Sequence, residues 1–149
     1  GTPFRRAIEE GLIDPKKYVI LGLRGGLYDP NDLKWAIDQG ITIISTDKFY
    51  EIGMEETIKI IKDILEDTST YFTFDIDGID PTFAPGTGTP EVGGITVREA
   101  QLIIRHLNSL NFIGADVVEV SPPFDVNNMT SLVGATIAFE ILCTMTKTN

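Results

Sequence analysis

Cysteine and histidine each occur once in the 149 residues, as Cys143 and His106. A single cysteine excludes a disulfide framework. Positive charge is also scarce: 12 Lys and Arg stand against 22 Asp and Glu, a net charge of −10. That balance argues against a nucleic-acid surface. It suits a metal ion or a cationic substrate, and it equally suits plain solubility. Long hydrophobic runs are missing too. The longest mostly apolar stretch, Leu132 to Met145, carries Glu140 and falls short of the ~20 residues that a spanning helix needs. No secretory signal pattern is present, and the composition reads as cytoplasmic. Apolar residues themselves are plentiful at 42%, which excludes an intrinsically disordered chain. The length allows one hydrophobic core and not two comfortable domains.

Along the chain, strand patterns alternate with helix patterns. Thr2 and Pro3 form a cap and first-turn proline for a short helix closed by Gly11. Tyr18 to Leu21 is a continuous apolar run of strand length, followed by the loop Gly22-Leu23-Arg24-Gly25-Gly26. Asp29 and Pro30 predict a helix start, with Leu33, Ala36 and Ile37 as the apolar face and Gly40 as the stop. Ile41 to Ile44 predicts a second, β-branched strand. Met54, Ile58, Ile61 and Leu65 recur at helical spacing. Tyr71 to Phe74 predicts a third strand running into Asp75-Ile76-Asp77, and Thr96 with Glu99 forms a capping box for the next helix. That helix should bury Val97, Ala100, Ile103 or Ile104, and Leu107. Ala115 to Val120 predicts a fourth strand. A last helix, Thr130 to Met145, is apolar nearly all round and predicted to be well buried. The pattern predicts a parallel sheet covered on both faces, with four strands in one layer. Two long irregular stretches, Gly78 to Ile95 and Ser121 to Asn128, follow strand ends, where open α/β sheets hold their ligands.

Phe74-Asp75-Ile76-Asp77-Gly78-Ile79-Asp80-Pro81 is the strongest local signal. Two positions apart on a strand, Asp75 and Asp77 would project from one face. Neighbouring carboxylates raise each other's pKa unless a cation neutralises them, and oxygen ligands suit Mg, Ca or Mn. The competing reading has one aspartate capping a loop amide and the other solvated. Asp80, before Pro81, reads as a turn former. The loop Ala84 to Gly94 is rich in glycine and proline but matches neither phosphate-loop pattern. His106 reads as a helix-surface or packing residue.

The run FDIDGIDPTFAPGTGTPEVGGIT, with VVEVSPPFD further on, resembles the ureohydrolases, the family of arginase, agmatinase and their guanidino-acid relatives. GTPFRRAIEEGLIDP and YVILGLRGGLYDP resemble the agmatinase and guanidinobutyrase branch more than arginase. The resemblance implies a three-layer α/β/α fold with a mainly parallel sheet. It also implies hydrolysis of a guanidino compound to urea and an amine by two Mn²⁺ ions sharing a hydroxide. Carried over residue by residue, Asp75 and Asp77 would be metal ligands, Glu119 would pair with the substrate guanidinium, and Thr89 would line the pocket. Relatives form rings of three or six subunits, so a homo-oligomer is expected, with no nucleic-acid or membrane partner.

The departures matter as much. The family's early GGDH-type and DAHxD-type metal motifs are missing, and its proton-shuttling histidine would fall just before Gly1. Residues 1–149 are therefore expected to be the C-terminal portion of one ureohydrolase domain, with no catalytic residue of their own. Hard divalent ions take about six donors each, so the isolated chain is expected to bind Mn²⁺ weakly and turn over nothing. A non-catalytic metal-binding or assembly module that kept the fold is the alternative. Arg24 has two readings, a partner for a substrate carboxylate or a tie between its loop and neighbouring backbone or another subunit.

Overall fold

The computed structural model describes residues 3–146. Among them nine regular elements alternate: α1 (Pro3–Glu9), β1 (Val19–Leu23), α2 (Lys34–Gln39), β2 (Thr42–Ser45), α3 (Thr46–Leu65), β3 (Thr70–Asp75), α4 (Val97–His106), β4 (Phe112–Val118) and α5 (Met129–Met145). The cap expected at Thr2 lies outside the described residues. β1 pairs parallel with β2, and β3 parallel with β4. This is an α/β fold. α3, α4 and α5 lie against the side that carries Val19, Leu21, Phe72, Phe74, Ala115 and Val117, and close the core around Ile61, Ile76, Ile104 and Ile137. Burial of such branched side chains contributes roughly 1.5–3 kcal/mol each.

The four strands do not form one continuous layer, as the alternation suggested; they form two separate pairs. The free edges of β1 and β3 face one another across a cleft of about 420 Å³, with Ile61, Leu65, Ala100, Ile103 and Leu107 below. Long side chains tie the two ends of this cleft. At one end Lys17 Nζ meets Glu66 Oε2 at 2.6 Å. At the other, Arg24 Nη2 donates to the Asp77 carbonyl at 2.5 Å. Those ties set β1 and β3 in the same direction, so their C-terminal ends share one rim.

Local signals explain most element boundaries. α4 starts with the expected capping box: Glu99 N–H donates to Thr96 Oγ1 at 3.1 Å, and Thr96 N–H to Glu99 Oε2 at 2.7 Å. It buries Ala100, Ile103, Ile104 and Leu107, as the spacing predicts, while Val97, expected with them, is only partly buried. α3 is capped by Ser45 and bends at Gly53, and beyond the bend Ile58, Ile61 and Leu65 are buried. α2 differs from expectation. Asp29 caps only a turn, through Asn31 N–H at 2.8 Å, and the helix starts five residues later at Lys34. Asp32 explains the delay, since its Oδ2 accepts from Tyr28 and Asp29 N–H and holds the preceding turn. Ile37, expected inside, is exposed.

α5 corrects a second expectation. Val133, Ile137, Ile141 and Thr144 are buried, while Leu132, Phe139 and Leu142 are each about 60% exposed. A helix apolar all round gives no preference for one face, so packing alone chose which side went inside. Glu140, on the buried side, is matched by the Arg105 guanidinium and by Gln101 Nε2 at 3.2 Å. The Arg105 hydrogen bonds hold the Glu140 carboxyl below the usual range. No helix among the described residues is long and apolar enough to cross a membrane.

Candidate active site

Asp75 is the last residue of β3, and the chain then turns into a single 3-10 turn, Ile76–Gly78. Asp77 therefore sits in that turn and not on the strand face predicted from alternation. Ile76, fully buried, pulls the backbone inward and makes the turn. The two aspartates still meet: Asp77 N–H donates to Asp75 Oδ1 at 3.1 Å. Asp75 thus caps a loop amide, as the competing reading has it, and also lies beside a second carboxylate. Desolvation first, and then the charges of Asp77 and Glu119, push the Asp75 carboxyl up to about 6 against the lowering effect of that hydrogen bond.

In the metal-free chain this shift makes stability depend on pH. The folded pKa of Asp75 lies above its unfolded value of about 3.9, so the folded state holds the extra proton between roughly pH 4 and 6. Stability from this group is present below pH 4 and lost as pH rises through 6. An Asp75→Asn variant should show a flatter decline of Tm between pH 4 and 7 than the wild-type chain. Identical slopes in thermal scans would sink this assignment.

Glu119 is expected at the end of the fourth strand, but β4 stops at Val118 and Glu119 takes a left-handed backbone with φ of 65°. That conformation costs a non-glycine residue on the order of 1 kcal/mol. It brings the carboxylate near enough to act on Asp75. Ser121 N–H, donating to Gly86 carbonyl at 2.8 Å, fixes the chain just beyond. Glu119→Gly should relieve the strain and raise the stability of this chain by about 1 kcal/mol in urea denaturation. A loss of stability would show that the side chain holds the fold rather than the site.

The loop from Gly78 to Ile95 is long but tied down. Asp80 N–H donates to Ile95 carbonyl at 2.9 Å, and Ile95 N–H to Gly78 carbonyl at 3.2 Å. Asp80 is the turn former expected: Oδ1 accepts from Thr82 N–H at 2.9 Å, and Oδ2 from Gly93 and Gly94 N–H at 2.8 and 3.2 Å. Thr82 and these amides hold its carboxyl at about 2. A Cβ at Gly94 would lie 2.5 Å from Asp80 N, so this close crossing admits only glycine. The far end of the loop is anchored at α5. Gly86 N–H donates to Thr130 Oγ1 at 2.8 Å, and Asp125 accepts from Thr130 and Ser131 N–H at 2.8 Å each. Burial pushes the Asp125 carboxyl up, but these donors outweigh it and hold it at about 2.

Thr89 reaches the aspartates, with its hydroxyl donating to Asp77 Oδ2 at 3.0 Å. It also lines a cavity of about 270 Å³ with Gly22 to Gly26, Asp77 and Glu91. Glu91 is not singled out by sequence; its only signal is its place in Thr89-Pro90-Glu91, two residues beyond Thr89. Arg24 follows the second of its two readings. Its donors go to backbone carbonyls of Gly22, Asp77, Glu91 and Val92, at the edge of that same cavity. His106 is exposed at the end of α4, away from these groups, as expected.

Asp75, Asp77 and Glu119 thus gather at the shared C-terminal rim of β3 and β4, with Thr89 beside them. Among the described residues, no group of three or more His, Cys, Asp or Glu is arranged to hold a metal ion by itself. The two aspartates fit a divalent cation as part of a shell. A carboxyl at an exposed rim, raised by desolvation and by two neighbouring carboxylates, is what a cation would relieve.

Fold and site together define an α/β protein whose gathered acidic groups lie at the C-terminal ends of parallel strands. Residues 1–144 match the arginase family, and the chain belongs to it. It is 54% identical over 143 residues to the guanidinopropionase of Pseudomonas aeruginosa, covering 96% of this chain and 45% of that protein. It is 43% identical over 145 residues to the mitochondrial agmatinase of Gallus gallus, covering 97% and 43%. The solved proclavaminate amidino hydrolase from Streptomyces clavuligerus superposes with a TM-score of 0.92 at 40% identity, over 97% of this chain and 48% of that one. The chain spans about half the length of the curated relatives it matches.

Proposed function

We propose that this chain is the C-terminal portion of a metal-dependent hydrolase that converts a guanidino compound to urea and an amine. The observation that carries the reading is the convergence of Asp75, Asp77 and Glu119 at one rim, with the Asp75 carboxyl raised to about 6. Relatives named guanidinopropionase and agmatinase support the substrate class. Two Mn²⁺ ions, when bound, supply a water of lowered pKa and offset the charge that develops on the substrate.

Asp75 and Asp77 would ligate those ions from their strand end and turn. Thr89 orients Asp77 by donating to Oδ2, which leaves Oδ1 free of that contact. Glu119 would accept two parallel hydrogen bonds from the guanidinium, the arrangement that a planar cation with several donors favours. The remaining metal ligands and the residue that shuttles the proton would come from outside this chain, since hard ions want about six donors. Assembly of the whole protein into a trimer or hexamer belongs to the same proposal.

Urea release from agmatine, 4-guanidinobutanoate, 3-guanidinopropanoate and arginine tests it, using the complete protein with added Mn²⁺. Turnover of at least one is expected. Silence on all four, with Mn²⁺ bound, would favour a module that kept the fold without the chemistry.

A further inference from the structure

Arg24 is bonded in a way that a mere surface tie does not require. A guanidinium has five N–H donors, and four of Arg24's are engaged. Nη2 donates to the carbonyls of Asp77 at 2.5 Å and Glu91 at 2.6 Å. Nε is shared between Glu91 and Val92 carbonyls at 3.2 and 3.3 Å, and Nη1 reaches Gly22 carbonyl at 3.4 Å. These acceptors lie on three segments: the end of β1, the turn after β3, and the loop that carries Thr89.

The contacts close into a ring. Arg24 holds the Asp77 carbonyl, Thr89 holds the Asp77 carboxylate, and Arg24 also holds the Glu91 carbonyl two residues after Thr89. The neighbouring Gly25 seals it: a Cβ there would lie 2.9 Å from Glu91 Oε2, and φ is 84°. The Asp77 backbone is thus fixed at its carbonyl by Arg24 and at its N–H by Asp75, and its side chain is aimed by a loop that Arg24 also fixes.

We propose that Arg24 is a positioning residue for the metal site, its guanidinium setting the placement of the Asp77 carboxylate by holding the Asp77 and Glu91 carbonyls together. This rests on the reading of Asp77 as a metal ligand. Groups one bond removed from the ligands commonly change metal affinity 10- to 100-fold when lost. Lysine in place of Arg24 would keep the charge but offer one compact donor group instead of a planar fork, so it should restore only part of the effect.

The test compares wild type, Arg24→Ala, Arg24→Lys and Arg105→Ala in the complete protein. Mn²⁺ dissociation constants come from electron paramagnetic resonance titration, and Tm from thermal scans. Arg105→Ala serves as the control, because it breaks the ion pair with Glu140 between α4 and α5 and should lower Tm without touching the metal. Arg24→Ala is expected to weaken Mn²⁺ by about 10- to 100-fold, with Arg24→Lys between it and wild type. An Arg24→Ala protein that loses Tm like the control while its Mn²⁺ affinity stays unchanged would overturn the proposal. If Arg24→Ala does not fold, Arg24→Lys decides by the same criterion. Wild type that takes up no Mn²⁺ would instead overturn the metal reading itself, and the role of Arg24 with it.

Discussion

Asn in place of Asp75 or Asp77 should strip the complete protein of stoichiometric Mn²⁺ and with it of urea formation. The magnitude can be bounded from the outer contacts. Loss of a group that only orients a ligand costs up to about 100-fold in metal affinity, so loss of the ligand itself should cost at least that. Asparagine keeps the size and one oxygen acceptor of each side chain but removes the charge that a hard cation needs. In Asp75→Asn the cap on the following turn should survive, because the amide oxygen can accept from Asp77 N–H as the carboxylate does at 3.1 Å. The fold is therefore expected to stay intact by circular dichroism while metal content after gel filtration falls. Retention of two metal equivalents by either variant would remove the aspartate it replaces from the ligand set.

Glu119→Gln should act on the other reactant. Truncating one partner of a desolvated charge pair costs about 2–5 kcal/mol, which corresponds to a loss of roughly 30- to several thousand-fold in kcat/KM. Metal content should be unchanged, which separates this variant from those at Asp75 and Asp77. Its complement is Glu119→Gly, where relief of the left-handed backbone raises stability while the guanidinium partner is lost. Stability gained together with activity lost is the signature of strain held at a functional position. A Glu119→Gln protein that loses metal rather than substrate affinity would move Glu119 into the ligand shell.

Much of this protein is legible one segment at a time. The capping box Thr96–Glu99, the helical spacing of Ile58, Ile61 and Leu65, the Asp80-Pro81 turn and the surface position of His106 all rest on neighbours within a few residues. Asp75, Asp77, Glu119 and Thr89 each stand out through motifs, and the first three do converge, with Thr89 on Asp77. What local patterns miss is geometry under long-range control. Asp29 could not win its helix because Asp32 claimed the same turn. α5 carries no sign of which face it buries. Asp77 leaves the strand because Ile76 is drawn into the core, and Glu119 leaves it by a backbone flip that alternation cannot foresee.

Sequence by itself determined the order of strands and helices, the α/β class and the family, since these depend on periodicity, caps and contiguous motifs. Tertiary structure alone decided that the strands form two pairs with a cleft between them, and that Arg24 is committed to backbone. The physical reason is distance along the chain. Arg24 reaches carbonyls 53 and 67 residues away, and the acceptors that satisfy its guanidinium exist only once β1, the turn after β3 and the Thr89 loop have met at one rim.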